Sequence, residues 1–255
     1  MGQLHNLNVG FGDASVIVTG RATFLMDCHK IEEYAHLLPA NKQIRGVFIT
    51  HQHRDHFSGL GYLMSNKYSI EVLVYSPYER RYGDSSVEYD EWFEFNSYKA
   101  YFEGRGTKVY APYRQQNFDK AFWSVNGVDF WLLGPAYYIA KRPARELHDA
   151  SLVVHVRMAS RRCLFAGDAS DTSLEYIAKN TTNICGDVLH ASHHGSLEGA
   201  CLEFVKKSTM DYTVISTKAG VYQNVPHPSA LSRYREHTKQ KVYRTDVDGS
   251  LKWAF

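Results

Sequence analysis

The stretch Ile49-Thr50-His51-Gln52-His53-Arg54-Asp55-His56 constrains this chain more than any other. Four side chains able to bind a metal, His51, His53, Asp55 and His56, fall within six positions. They follow the short apolar run Val47-Phe48-Ile49, which reads as a buried strand. In an extended segment residues two apart point the same way, so His51 and His53 can grip one ion. Asp55 and His56 come where the chain turns into its next element and can face a neighbouring ion. Imidazole nitrogen with carboxylate oxygen suits zinc, manganese or iron, and the simplest use of two adjacent ions is hydrolysis.

Further motifs of the same chemistry also sit at predicted strand ends. Leu164-Phe165-Ala166-Gly167-Asp168 is an apolar strand closed by a glycine, which lets backbone crowd close, and then by a carboxylate that can bridge two ions. Alone, Gly167-Asp168 would read as a turn. His190-Ala191-Ser192-His193-His194-Gly195-Ser196 follows another apolar strand, and His148-Asp149-Ala150-Ser151 precedes one. His227 stands between Pro226 and Pro228, after a further strand and a loop. Strand ends on one edge of a sheet converge, so these distant positions can build one site. His190 reads as packing or hydrogen bonding at the sheet edge. His5, His29, His36, His155 and His237 read as structural or exposed.

The elements between the motifs alternate. Residues 14–19 and 22–26 read as strands joined by a tight turn at Gly20, and 31–38 has helical apolar spacing that ends at Pro39. Residues 46–50 read as a strand, 57–67 as a helix and 71–75 as a strand. The order repeats later: strands at 128–133, 149–157, 162–165, 187–191, 211–216, 241–244 and 250–253, and helices at 171–179, 197–206 and 228–239. Between 76 and 120 polar and aromatic residues mix without a clean period, and one helix is expected over 89–102. Its aromatics are expected to fill core; the competing reading is a stacking wall for single-stranded nucleic acid, with Arg80 and Arg81 beside it. Two strand-rich halves alternating with helices predict an α/β protein of four layers, helices outside and two sheets within. Residues 1–255 are expected to form a single domain, with 76–125 its variable part.

Composition excludes several classes. With 44% apolar and 22% charged residues the chain is an ordinary globular protein, and a net charge of +2 creates no global field toward nucleic acid or anionic lipid. It has no apolar run of membrane-spanning length and no signal-peptide pattern at its start. Cys28, Cys163, Cys185 and Cys201 are scattered without a Cys-x-x-Cys pair, so free thiols in a reducing, cytoplasmic setting are expected. Nothing in the pattern specifies an oligomeric state.

The motif from His51 to His56, with Gly167-Asp168 downstream, resembles the metallo-β-lactamase superfamily. Ser151-Leu-Val-Val, His193-His194-Gly195-Ser196, His227-Pro228 and Val242-Tyr-Arg-Thr-Asp246 with Gly249 are similar, in order, to the metallo-β-lactamase domain of bacterial DNA-uptake (competence) channel proteins; phosphorylcholine esterases are related. The likeness covers about residues 14–254, and the channel's membrane segments are lacking in this chain, so a free-standing version of that domain is expected. The resemblance implies an αββα sandwich holding two divalent ions, zinc or manganese. His51, His53 and His148 would bind the first; relatives often carry Asn at the last position. Asp55, His56 and a bridging Asp168 would bind the second, completed by His194, with His193 and His227 competing for that place. Whichever of these is left over would act as proton donor or phosphate contact, so Asp55, His193 and His227 are the candidate catalytic residues. Asp27 would hold a ligand imidazole. The implied activity is a hydroxide-driven phosphodiesterase or nuclease acting on nucleic acid or nucleotides. The alternatives are a small-ester hydrolase, phosphorylcholine esterase-like or a lactonase, and a non-catalytic metal-binding module of a DNA-uptake or defence assembly.

Overall fold

The apolar runs alternate between two buried environments, which makes them central strands of packed sheets. In the computed structural model, which describes residues 2–255, Phe24, Met26 and Phe48 face one cluster while Leu25, Val47 and Ile49 face another. The first sheet contains β1 (Gln3–Asn6), β2 (Ala14–Val18), β3 (Thr23–Cys28), β4 (Gln43–Ile49), β5 (Ser69–Tyr75), β6 (Lys108–Tyr110) and β14 (Leu251–Ala254), in the order β14-β1-β2-β3-β4-β5-β6. The second contains β7 (Trp123–Val125), β8 (Val128–Gly134), β9 (Val153–Met158), β10 (Arg161–Phe165), β11 (Gly186–His190), β12 (Met210–Ile215) and β13 (Lys241–Arg244), in the order β13-β12-β11-β10-β9-β8-β7.

Phe24, Phe48 and Val74 of the first sheet meet Phe130, Val154, Val156 and Val188 of the second in the inter-sheet core. Phe48 and Phe130 stack there with ring centroids 4.7 Å apart. Helices α1 (Arg54–Phe57), α2 (Gly59–Ser65) and α3 (Tyr89–Glu103) cover the outer face of the first sheet through Phe57, Leu60, Leu63, Phe95 and Phe102. After the short α4 (Tyr137–Ala140), helices α5 (Asp171–Asn180), α6 (Leu202–Lys207) and α7 (Pro228–His237) cover the second sheet through Leu174, Ile177, Phe204, Val205, Leu231 and Tyr234. The four-residue α8 (Thr245–Asp248) follows β13. The result is the expected four-layer αββα sandwich. Among the described residues no helix is long and apolar enough to cross a membrane.

Strands β3 to β6 run parallel, as do β10 to β13, so their carboxyl ends gather at one edge of the sandwich. That edge is where ligands of α/β sheets bind. Here it receives Asp27, the 51–56 motif, Asp168 and the 193–194 pair. A backbone hydrogen bond ties the two sheets together at this edge, the Leu152 amide donating to the Thr50 carbonyl at 2.9 Å, and within the second sheet the Asp168 amide donates to Ser151 Oγ at 3.2 Å. A cavity of about 680 Å³ lies instead among the β2–β3, β7–β8 and β9–β10 turns at the opposite end.

Three elements differ from the pattern reading. The strand expected from 149 begins only at Val153, because Asp149 accepts from the Glu146 amide and closes a 3₁₀ turn over Leu147–Ala150. The helix expected over 197–206 begins at Leu202, because Gly199 is pressed against Ser192 and His193, where a β-carbon would come within 2.6 Å of the His193 side chain. The helix expected over 57–67 is two, α1 and α2, both placed before Lys67. Strands β1, β6 and β7 are short and carry too few residues to show a period.

Candidate metal centre

His51 and His53 leave β4 with their rings converging, so that His51 Nε2 and His53 Nδ1 are 3.1 Å apart. Their outer nitrogens are tied back. His53 Nε2 donates to the Ser86 carbonyl at 2.9 Å, and His51 Nδ1 lies 3.2 Å from Thr50 Oγ1, which itself donates to Asp27. These acceptors set the tautomers and turn a lone pair on each ring inward. His148 completes a group with them, its ring centroid 5.3 Å from that of His51 and 5.1 Å from that of His53.

Asp168 joins this group to a second. Its Oδ2 is 3.7 Å from His51 Nε2 and 3.4 Å from His194 Nε2, while Oδ1 is 3.5 Å from His56 Nε2. His56 Nδ1 donates to Asp27 at 2.9 Å, and His194 Nδ1 to the Ser216 carbonyl at 3.0 Å. Asp55 reaches His194 Nε2 at 3.4 Å. Both carboxylates that face the inward nitrogen of His194 are therefore Asp55 and Asp168.

Asp13 is a buried member of the site that pattern reasoning missed. It groups by distance with His56, Asp168 and His194. Yet its oxygens face the outer nitrogens: 3.4 Å from His194 Nδ1, 3.5 Å from His190 Nδ1 and 4.0 Å from His56 Nδ1. Asp13 therefore lies on the Nδ1 side of three rings, where His56 and His194 already donate to Asp27 and the Ser216 carbonyl, and its Oδ1 is buried without a hydrogen-bond partner. Ser86 was also missed; it lies in the stretch without a period.

His193 stands at the mouth, Nε2 3.9 Å from Asp168 Oδ2, and forms a third group with His148 and Asp168. His193, His194 and Gly195 are consecutive residues in the left-handed region, with φ of 49°, 51° and 79°. Such backbone costs on the order of 1–3 kcal/mol per non-glycine residue and persists only where surroundings impose it. Here the His193 amide donates to Gly167 O at 3.0 Å and Gly195 packs on Ile215 and Pro226, which aims both rings inward. His227 lies outside all three groups: its Nδ1 accepts from the Ser229 amide at 3.1 Å and caps α7.

Electrostatics supports a cation here. Burial, reinforced by neighbouring imidazoles, pushes His51 well down and His148 down to about 3, so both rings are neutral donors at ordinary pH. Burial alone would also lower His56 and His194, but Asp168, with Asp27 and Asp55 beside His56 and Asp13 beside His194, outweighs it and raises both well above the usual value. Asp168 is held well below the usual carboxylate range: burial opposes this, and the surrounding imidazoles overcome it. Asp168 thus has only imidazoles within ion-pairing distance among the described residues. Nε2 of His56, His148 and His194 and Oδ1 of Asp168 are buried without a hydrogen-bond partner. Each such atom costs about 1–3 kcal/mol unless paired. The donor set therefore fits divalent ions, which would pair these atoms and take the place of the protons that the carboxylates otherwise hold on His56 and His194.

Asp27→Ala would remove the acceptor that orients His56 and Thr50. Metal affinity is expected to fall about 10–100-fold in chelator competition. Unchanged affinity would remove Asp27 from the support of the site.

The family model of the metallo-β-lactamase superfamily matches residues 7–219, and the chain belongs to that superfamily of metal-dependent hydrolases. No curated protein matches it. Among solved structures it is similar to the metallo-β-lactamase fold protein YhfI from Bacillus subtilis, at 14% identity and a TM-score of 0.60 over 99% of both chains. It is also similar to a mutant of the CmlA β-hydroxylase, at 13% identity and a TM-score of 0.63, covering 100% of this chain and 54% of that one. A diphosphatase from the PhnP family matches at 14% identity and a TM-score of 0.53, over 100% of this chain and 98% of that one. At such identities the likeness concerns the fold, and a hydroxylase and a diphosphatase on one fold leave the reaction to the site.

Proposed function

We propose that the protein is a metal-dependent phosphodiesterase acting on nucleic acid or nucleotides. The observation that carries this reading is the meeting of two groups of inward-turned donors at Asp168. His51, His53 and His148 are assigned to one ion, and Asp55, His56 and His194 to the other, with Asp168 between them. Divalent ions bound there would acidify water and draw off negative charge that develops on phosphorus. Two adjacent ions suit in-line displacement at a phosphodiester, and the order of motifs similar to the DNA-uptake channel domain favours the same chemistry. A neighbour on this fold described as a diphosphatase is consistent with it.

The chain's own groups supply the rest. Asp27 and the Ser216 carbonyl keep the rings of His56 and His194 oriented. His193 Nε2, at the mouth and partly exposed, gives a proton to the leaving oxygen. His227 has its Nδ1 committed to α7 and keeps Nε2 for a substrate phosphate.

The test uses protein stripped of metal and reloaded with Mn²⁺ or Zn²⁺, given single-stranded DNA, RNA, cyclic nucleotides and a lactone, with His53→Ala as control. Cleavage of a phosphodiester that depends on the added ion and is lost in the control is expected. Intact phosphodiesters beside an opened lactone would reverse the assignment.

A further inference from the structure

Resting on the phosphodiesterase reading, we infer that Phe11 and Tyr222 form a ledge that stacks a flat ring of the substrate, which makes the preferred substrate a phosphodiester bearing a nucleobase. The Phe11 ring lies 4.3 Å from the His194 ring, centroid to centroid, and the Tyr222 ring 4.7 Å from that of Phe11. The three rings run from the buried centre to the surface, where Tyr222 is 59% exposed. The Tyr222 ring packs on Phe11 at a tilt of 56°, and among the described residues its hydroxyl has no hydrogen-bond partner.

Both rings are mounted on fixed points. Phe11 stands between two glycines of positive φ, and Gly12 lies so close to Asp55 that a β-carbon would come within 2.6 Å of its carbonyl. The Asp13 amide donates to the same carbonyl at 2.9 Å. The loop bearing Tyr222 is held at one end by Asp246, which accepts from the Ala219 amide at 3.0 Å, and at the other by the His227 amide, which donates to Gly195 O at 2.8 Å. This gives the Asp246 motif and the His227 backbone a shared task of positioning the ledge.

Charge decides which ring-binding chemistry applies. A pair of aromatic rings can take either a flat base or a quaternary ammonium such as choline. Lys30 Nζ and Lys218 Cδ both come within 3.7 Å of the point where a β-carbon on Gly10 would sit, one residue before Phe11. Neither lysine has a carboxylate partner among the described residues. The Lys30 ammonium beside Gly10, with the Lys218 side chain reaching the same point, puts positive charge next to the Phe11 loop, which disfavours choline and favours the phosphates of a nucleotide.

The reloaded enzyme would be given a dinucleotide, glycerophosphocholine and a bis(glycerol) phosphodiester, with phosphate release by an added phosphomonoesterase as readout. The dinucleotide should be preferred. Tyr222→Ala should lower the ratio of its kcat/KM to that of the glycerol diester about tenfold, mostly through KM, and Tyr222→Phe should restore it. Lys218→Glu should shift preference toward glycerophosphocholine. A ratio unmoved by Tyr222→Ala, or a wild-type preference for the choline ester, overturns the ledge. Calorimetry with adenosine monophosphate needs no turnover and keeps the two readings apart. If no diester is cleaved, the phosphodiesterase reading fails, and binding that weakens about tenfold in Tyr222→Ala supports the ledge alone. Binding that does not change overturns the ledge as well.

Discussion

Replacing Asp168 by Ala is expected to lower metal-dependent turnover at least about 10³-fold, because this one carboxylate touches both halves of the centre. Its two oxygens lie 3.4–3.7 Å from the inward nitrogens of His51, His56 and His194. Losing it removes the only carboxylate among the described residues that faces all three rings, so elemental analysis of the reloaded variant should show depleted metal as well. Asp168→Asn separates shape from charge: it keeps the side-chain outline and loses the anion. If charge is what the ions need, Asn should be nearly as inactive as Ala. An Asp168→Ala protein that held its metal and its turnover would contradict the centre drawn here.

Gly59→Ala should be the most damaging single methyl group in the fold. Gly59 opens α2 where the helix crosses the end of β3, and a β-carbon there would lie 1.9 Å from the Cys28 carbonyl oxygen and 2.7 Å from the Ile31 side chain. The carbonyl belongs to backbone and cannot swing aside. It also adjoins Asp27, whose oxygens hold Thr50 and His56. Either the helix lifts off the sheet or β3 shifts, at a cost of about 3 kcal/mol or more. For a chain of this size the melting temperature should drop by roughly 6–12 °C. Gly20→Ala, in the β2–β3 turn with nothing within 4 Å, is the control and should stay within about 0.5 kcal/mol of the parent. Equal melting temperatures for the two variants would show that α2 does not pack as described.

Different parts of the site were legible in the sequence to different degrees. The 51–56 motif was legible because its donors are adjacent and follow an apolar strand. His148, Asp168 and His194 were legible only as residues beside strand ends, and the topology had to bring them together. Asp13 was not legible at all: Gly12-Asp13 before a strand looks like any turn. It gains its place because β2 lies antiparallel to β3, which sets Ala14 opposite Cys28 and Asp13 beside the rings of His190 and His194. Ser86 was hidden in the aromatic-rich stretch. In that stretch α3 was readable, with Phe95 and Phe102 as its buried residues, but its remaining aromatics point in several directions and give no clean stripe.

The sequence by itself determined the candidate donors and the layers, because side chains able to bind a metal and apolar alternation are local chemistry that needs no partner to be recognised. Tertiary structure alone decided which nitrogen of each ring faces inward, which carboxylates lie against those nitrogens, and that Phe11 and Tyr222 adjoin His194. Those choices depend on hydrogen bonds and packing between segments far apart in the chain, and no local pattern encodes such distances.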